Sequence, residues 1–121
     1  MITSNDPGLD ILLDLDGVSS GVDPDGAFQV RFIVKLVPPS PARPHGLSYS
    51  LTLHDETGER IVGFDNAHAD LAGKRRRRRV AQDHWHRLGA TRPYEYRDAA
   101  TLLADFWAQV DAVLKERGVL P

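Results

Sequence analysis

Apolar and polar residues alternate along two stretches of the chain. Every second position is apolar across residues 28–36, and across Leu47–His54 Leu and Tyr alternate with Ser, Thr and His. A period of two is typical of a strand with one buried face. Residues 55–58 have turn composition and lead to a third apolar run at residues 61–64, so we expect an antiparallel meander.

The C-terminal part of the chain has a different period. Its apolar residues recur at three- and four-residue spacing, which predicts one amphipathic helix over residues 99–117. Asp98 is suited to the N-cap and Gly118 to the C-terminal end. The stripe consists of Leu102, Leu103, Phe106, Val110, Val113 and Leu114. We therefore predict an α+β fold, an antiparallel β-sheet of about four to six short strands packed against a C-terminal amphipathic α-helix.

Three further segments have weaker patterns. Aspartates alternate roughly with Ile and Leu over residues 9–15, which predicts an additional strand there. Residues 80–87 and 94–97 are predicted to form two more short strands. Residues 66–79 have no apolar period and are expected to be an exposed basic loop.

Composition indicates one domain in a reducing compartment. A chain of 121 residues with 41% apolar content can fill one modest core, so residues 1–121 are expected to form a single domain. With no cysteine, neither disulfides nor thiolate metal sites can form. The N-terminus has no basic region and only a short apolar run, so we expect a cytoplasmic protein with no membrane segment.

Charge is distributed unevenly along the chain, although the net charge is only −2. An acidic N-terminal segment, residues 1–26, carries six aspartates and no Lys or Arg, while the basic loop holds an unbroken arginine run. Such a run attracts phosphates or an acidic partner. The predicted nucleic-acid-binding residues are Lys74, Arg75, Arg76, Arg77, Arg78, Arg79 and Arg87.

Four residues in and around the loop form a candidate catalytic site: Asp65, His68, His84 and His86. If residues 80–87 are extended, His84 and His86 project from one face of the strand. Two imidazoles can act as base and acid in RNA cleavage while an arginine stabilises the charge on the phosphate, and Asp65 would orient one ring. This hypothesis needs no metal and no cofactor.

Two alternatives remain open at this point. The same side chains could supply three or four nitrogen and oxygen ligands to zinc or manganese, and Asp83 could hydrogen-bond to one of these ligands. Alternatively, the histidines are structural and the protein is a non-enzymatic binding module that docks nucleic acid or an acidic partner protein through its arginine-rich loop.

The order of these motifs resembles that of a known family. Arg-Pro-His-Gly-Leu-Ser-Tyr-Ser at residues 43–50, Gly-Phe-Asp-Asn-Ala-His at 63–68 and Asp-His-Trp-His at 83–86 precede the helical stripe. This arrangement resembles the TumE family of bacterial toxin–antitoxin proteins. The resemblance implies a toxin that acts on RNA or translation and is paired with a small DNA-binding antitoxin. The matching site positions are Asp65, Asn66, His68, His84 and His86.

Overall fold

The computed structural model describes residues 6–41, 45–66, 83–87 and 90–119. These residues form two helices, α1 (Leu9–Asp14) and α2 (Ala99–Glu116). They also form six strands: β1 (Ser19–Gly21), β2 (Gln29–Leu36), β3 (Leu47–His54), β4 (Arg60–Asp65), β5 (His84–Arg87) and β6 (Ala90–Pro93). The strands make one antiparallel sheet in which the spatial order is the order along the chain. The predicted α+β fold is confirmed.

The core lies between one face of the sheet and α2. Strand β2 buries Val30, Phe32 and Val34 and leaves the residues between them exposed or half-buried, as its period of two predicts. Helix α2 places Phe106 against this surface, with its ring centroid 5.7 Å from that of Phe32 and 6.1 Å from that of Phe64. The predicted packing of the sheet against the C-terminal helix is therefore confirmed.

The ends of α2 have the predicted caps. A side-chain oxygen of Asp98 accepts a hydrogen bond from the backbone N–H of Thr101 at 2.7 Å. This bond satisfies one of the N–H groups that a helix start leaves unpaired, and it lowers the pKa of Asp98. At the other end, Gly118 has φ +76°, a left-handed conformation that glycine adopts without steric cost.

The structure of the N-terminal segment differs from the prediction. Residues 9–15 were expected to form a strand, but the structure has the short helix α1 there, with Leu12 fully buried in the same core as α2. The spacing of Leu9, Leu12 and Leu13 fits a helical turn as well as it fits a strand, and so short a run cannot distinguish the two. Strand β1, which no sequence pattern indicated, follows α1 and is exposed throughout.

The structure of the segment before α2 also differs from the prediction. A strand was expected at residues 94–97, but the last strand is β6, which ends at Pro93. Instead of pairing with a further strand, Tyr94 donates its hydroxyl to Asp105 at 2.6 Å, and the hydroxyl of Tyr96 bonds to Asp6. Strand β5 begins at His84, one residue after Asp83, and residues 80–82 of the strand expected at residues 80–87 lie outside the described residues. In the described part of the chain, neither helix is long and apolar enough to cross a bilayer.

The two faces of the sheet are chemically different. One face carries the apolar side chains that α1 and α2 cover. The opposite face, which we call the helix-free face, presents the alternate residues of the strands, among them Arg31, Ser50, Asp65 and His86. Because the covered face forms most of the core, most polar side chains of the strands lie on the helix-free face.

Candidate functional site

Strand β5 brings both of its histidines to the helix-free face. In the ladder with β4, His84 lies opposite Asp65 and His86 lies opposite Gly63. The two imidazole ring centroids are 6.3 Å apart. The intervening Trp85 points to the covered face, where it stacks on Phe64 at a centroid distance of 5.8 Å. The alternation of a strand therefore places two imidazoles side by side, as the sequence predicted.

Asp65 joins this pair as a nearly buried carboxylate, with 7% of the residue exposed. Its Oδ2 atom lies 3.1 Å from Nε2 of His86 and 3.5 Å from Nη1 of Arg60. The carboxylate thus contacts one imidazole and one guanidinium on the same face of the sheet. His84 completes the cluster, and we refer to Arg60, Asp65, His84 and His86 together as the β4–β5 cluster.

Arg60 is a member of this cluster that the sequence analysis missed. Strict alternation along β4 would place it on the covered face with Val62 and Phe64. The β3–β4 ladder, however, shifts register between Leu53 and His54, so Ile61 is an extra residue. A bulge of this kind turns the strand and re-aims the side chains that follow it. Consequently Ile61 and Val62 are both buried, while Arg60 reaches Asp65 across the helix-free face.

Gly63 makes space for these side chains. A Cβ atom at this position would lie 3.2 Å from Cδ of Arg60, closer than ordinary van der Waals contact. On the adjacent strand, His86 is its cross-strand partner. The absence of a side chain at Gly63 therefore lets the arginine stem lie over β4 and reach the carboxylate.

His86 has a lowered pKa, so it is held mainly as a neutral ring at pH 7. Burial is the largest cause, and the positive charge of Arg60 and the neighbouring His84 act in the same direction, although the carboxylate of Asp65 opposes them. On the other side of the ring, Nδ1 lies 3.0 Å from Oγ1 of Thr91. Among the described residues, the contact of Nε2 with Asp65 is close but lacks hydrogen-bond geometry, whereas Nδ1 can accept a hydrogen bond from the Thr91 hydroxyl.

This shift predicts how stability depends on pH. A histidine whose pKa is lower in the folded than in the unfolded chain binds more protons when unfolded, so the free energy of unfolding should fall as the pH drops below about 6.5. Urea unfolding of the wild type and of His86→Gln, measured between about pH 7.5 and about pH 5.5, should show a shallower pH dependence for the variant. Parallel curves for the two proteins would contradict the assignment to His86.

A second polar cluster lies on the covered side, near the start of β5. Oδ2 of Asp83 accepts a hydrogen bond from the Tyr49 hydroxyl at 2.6 Å and lies 2.9 Å from Nε2 of His45. The other ring nitrogen of His45 accepts from the backbone N–H of Leu47 at 3.2 Å. Burial and the adjacent carboxylate raise the pKa of Tyr49, so its hydroxyl stays protonated and remains a donor.

Asn66 fixes the end of β4 against β3. It is fully buried, and its side-chain amide donates to the carbonyl of Leu47 at 2.8 Å and accepts from the backbone N–H of Tyr49 at 2.9 Å. These bonds are made with backbone groups, which makes Asn66 a positioning residue for the neighbouring Asp65. Because Asn66 and Asp83 stand at the described ends of β4 and β5, the two sets of bonds fix both strands of the β4–β5 cluster.

The remaining predicted site residues are not all brought to this face. Arg87 lies on the covered side of β5, where it pairs with Glu116 and donates to Oε1 of Gln109 at 3.4 Å. His68 and the run Lys74, Arg75, Arg76, Arg77, Arg78 and Arg79 lie outside the described residues. Among the described residues, no group of three or more His, Asp or Glu side chains is arranged to hold a metal ion.

Comparison with known proteins identifies the class of protein to which this chain belongs. A family model described as toxin TumE matches residues 25–114, a span that contains β2 to β6 and most of α2. The class is therefore a protein toxin. The chain belongs to the TumE family, as the order of its motifs indicated. A search of curated proteins and a search of solved structures each returned no match.

Proposed function

We propose that this toxin cleaves RNA without a metal ion and that the β4–β5 cluster performs the reaction. The observation that carries the proposal is the grouping of two imidazoles, a carboxylate and a guanidinium on one polar face of the sheet, within the distances given above. Imidazoles exchange protons near neutral pH, and a guanidinium matches the oxygens of a phosphate. Together they meet the requirements of acid–base phosphodiester cleavage.

The proposed reaction uses the ribose 2′-hydroxyl as the nucleophile. His86 removes the proton of this hydroxyl while O2′ forms a bond to the adjacent phosphorus. The bond from phosphorus to O5′ breaks, and a protonated His84 delivers a proton to the departing O5′. The products are a 2′,3′-cyclic phosphate and a 5′-hydroxyl end, and Arg60 stabilises the negative charge that develops on the phosphate oxygens.

The roles of the two histidines follow from their surroundings. The lowered pKa of His86 leaves its ring neutral, the state in which it can accept a proton. The carboxylate of Asp65 beside Nε2 orients the ring and stabilises the cation that forms when Nδ1 is protonated. At Nδ1, the hydroxyl of Thr91 occupies the position that a ribose hydroxyl would take in the complex.

The test is cleavage of a defined RNA by purified toxin in the presence of EDTA. We expect cleavage to survive the chelator and to leave 2′,3′-cyclic phosphate ends, which resist ligation and labelling until a phosphatase that opens cyclic phosphates is added. The same oligonucleotide with 2′-O-methyl riboses should bind and remain intact, because its nucleophile is blocked. Loss of cleavage in EDTA with recovery in zinc or manganese would refute the metal-free mechanism.

A second candidate function is a non-enzymatic binding module. It is favoured by the contacts of His86, because both ring nitrogens lie within about 3 Å of side chains of its own chain, as is common for a structural histidine. Under this hypothesis the toxin would block translation by binding RNA or a protein. Growth arrest and tight RNA binding by a purified protein that leaves every tested RNA intact would favour this function.

The toxin would act in the cytoplasm beside a cognate antitoxin protein. Support for this pairing comes from the family to which the chain belongs. Expression of the chain alone should arrest growth, and co-expression of a small DNA-binding protein encoded next to it should restore growth and co-purify with the toxin.

A further inference from the structure

Charge is separated across the sheet in the described residues. The two helices, with the caps of α2 included, carry six carboxylates, Asp10, Asp14, Asp98, Asp105, Asp111 and Glu116, but only two cations, Lys115 and Arg117. The six described strands, in contrast, contain a single carboxylate, Asp65. The helix-free face presents Arg31, Lys35 and Arg60, of which Lys35 contacts Asp16 and Arg60 contacts Asp65. A polyanion that approaches this protein is therefore favoured on the helix-free face and repelled from the helices.

The register of the sheet connects these cations to the histidines. Arg31 lies opposite Thr52, Thr52 opposite Gly63, and Gly63 opposite His86, so one row of cross-strand partners joins β2 to β5. Three strand spacings separate the ends of the row, about 14 Å. Between the ends, Thr52 is 8% exposed and the stem of Arg60 lies over Gly63. The row therefore joins an exposed cation on β2 to the β4–β5 cluster, with the Arg60 side chain between them.

A neighbouring row of cross-strand partners also joins β2 to β5. It runs from Ile33 through Ser50 and Asp65 to His84. Ile33 is 55% exposed, a large apolar side chain on an otherwise polar face. An exposed apolar side chain beside a cation can contact the face of an unpaired nucleobase while the cation holds the phosphate. The bases of a duplex are stacked inside the helix and cannot make this contact.

We propose that a single-stranded RNA crosses the helix-free face from β2 to β5, with phosphates at Arg31 and Lys35, a base on Ile33 and the scissile phosphate at the β4–β5 cluster. This inference rests on the proposed function and adds to it the form of the substrate and its path. Lys35 already contacts Oδ2 of Asp16 at 2.8 Å, which reduces the charge it offers. Arg31 forms no ion pair within the described residues, so it is the principal phosphate ligand on β2.

The test compares Arg31→Ala with Lys115→Ala, which removes the same charge from the opposite layer. Affinity is measured by fluorescence anisotropy with a 2′-O-methyl oligouridine that cannot be cleaved. We expect Arg31→Ala to weaken binding about 5- to 10-fold at low salt and to reduce the slope of log affinity against log salt by about one, and Lys115→Ala to change neither. An unlabelled RNA duplex of equal length should compete poorly.

Each contrary result has a distinct meaning. Equal losses in both variants would indicate general electrostatics and overturn the path, as would an unchanged affinity in Arg31→Ala. Equal competition by the duplex would overturn the single-strand assignment. If Arg31→Glu keeps its RNA affinity but escapes the antitoxin, the face is a protein interface instead. Cleavage that continues unaltered in Arg31→Ala would refute the path and leave the proposed function intact. If Arg31→Ala shows the expected loss of binding but the wild type cleaves no RNA, the path is supported and the proposed function is refuted.

Discussion

Replacing Phe106 with alanine should lower the free energy of unfolding by about 3–5 kcal/mol. Phe106 is fully buried, and its ring meets Phe32 at 5.7 Å and Phe64 at 6.1 Å, both in edge-to-face geometry. Truncation removes these aromatic contacts and leaves a cavity between α2 and the central strands, which close-packed surroundings cannot fill. Urea unfolding followed by circular dichroism measures the loss.

Trp107→Ala is the matched control for this experiment. Trp107 is the next residue of α2 and also contacts Phe32, with ring centroids 6.1 Å apart, but 40% of it is exposed. Its truncation should therefore cost clearly less than that of Phe106, because part of its surface is already in water and no closed cavity forms. A loss of under roughly 1 kcal/mol for Phe106→Ala, or a larger loss for Trp107→Ala, would show that α2 docks differently.

The sheet and the long helix could be predicted because each has one face against the core. In β2 and β3, that burial imposes a period of two over eight residues, and in α2 it imposes a helical period over 18 residues. The six residues of α1 bury only Leu12. With Leu12 buried and Leu9 and Leu13 only partly buried beside it, this segment is too short to define a period, so tertiary contacts decided its structure.

The wrong strand at residues 94–97 has a different cause. The alternation in this segment is real, since Tyr94 and Tyr96 are half-buried while Glu95 and Arg97 are exposed. The hydroxyls of both tyrosines bond to carboxylates on α2 and near the N-terminus, while the backbone N–H of Tyr94 donates to the carbonyl of Asp83 just before β5. Alternation indicates an extended backbone, and it cannot show whether a further strand is present to pair with it.

The candidate site was predictable where it depends on local geometry and not where it depends on long-range contacts. The shared face of His84 and His86 follows from two-residue spacing on a strand. Arg60 joins them only because of a bulge, and a bulge breaks the alternation on which the prediction relies. His45 and Asp83 are 38 residues apart in the chain, and no local pattern connects them.

Removing either imidazole of the β4–β5 cluster should reduce RNA cleavage by about 10²- to 10⁴-fold, the contribution typical of general acid–base catalysis. His84→Ala removes the proposed acid, and His86→Ala removes the proposed base. Because the two groups act in one step, the double variant should be scarcely worse than the worse single variant. The measurement is the single-turnover cleavage rate of a defined RNA, accompanied by growth arrest on induction in cells.

His54→Ala is the matched control, since His54 lies on the same face of β3, bonded to Thr52 and to the carbonyl of Gly58. It should retain cleavage and toxicity, which would separate a catalytic role from the general loss of a polar ring.

His86→Ala leaves the nearly buried Asp65 without its imidazole and so can weaken the fold, whereas His84→Ala keeps that contact. Circular dichroism at the assay temperature identifies any unfolding. If folded His84→Ala and folded His86→Ala cleave RNA as fast as His54→Ala does, the cluster is not catalytic, and the toxin acts by binding.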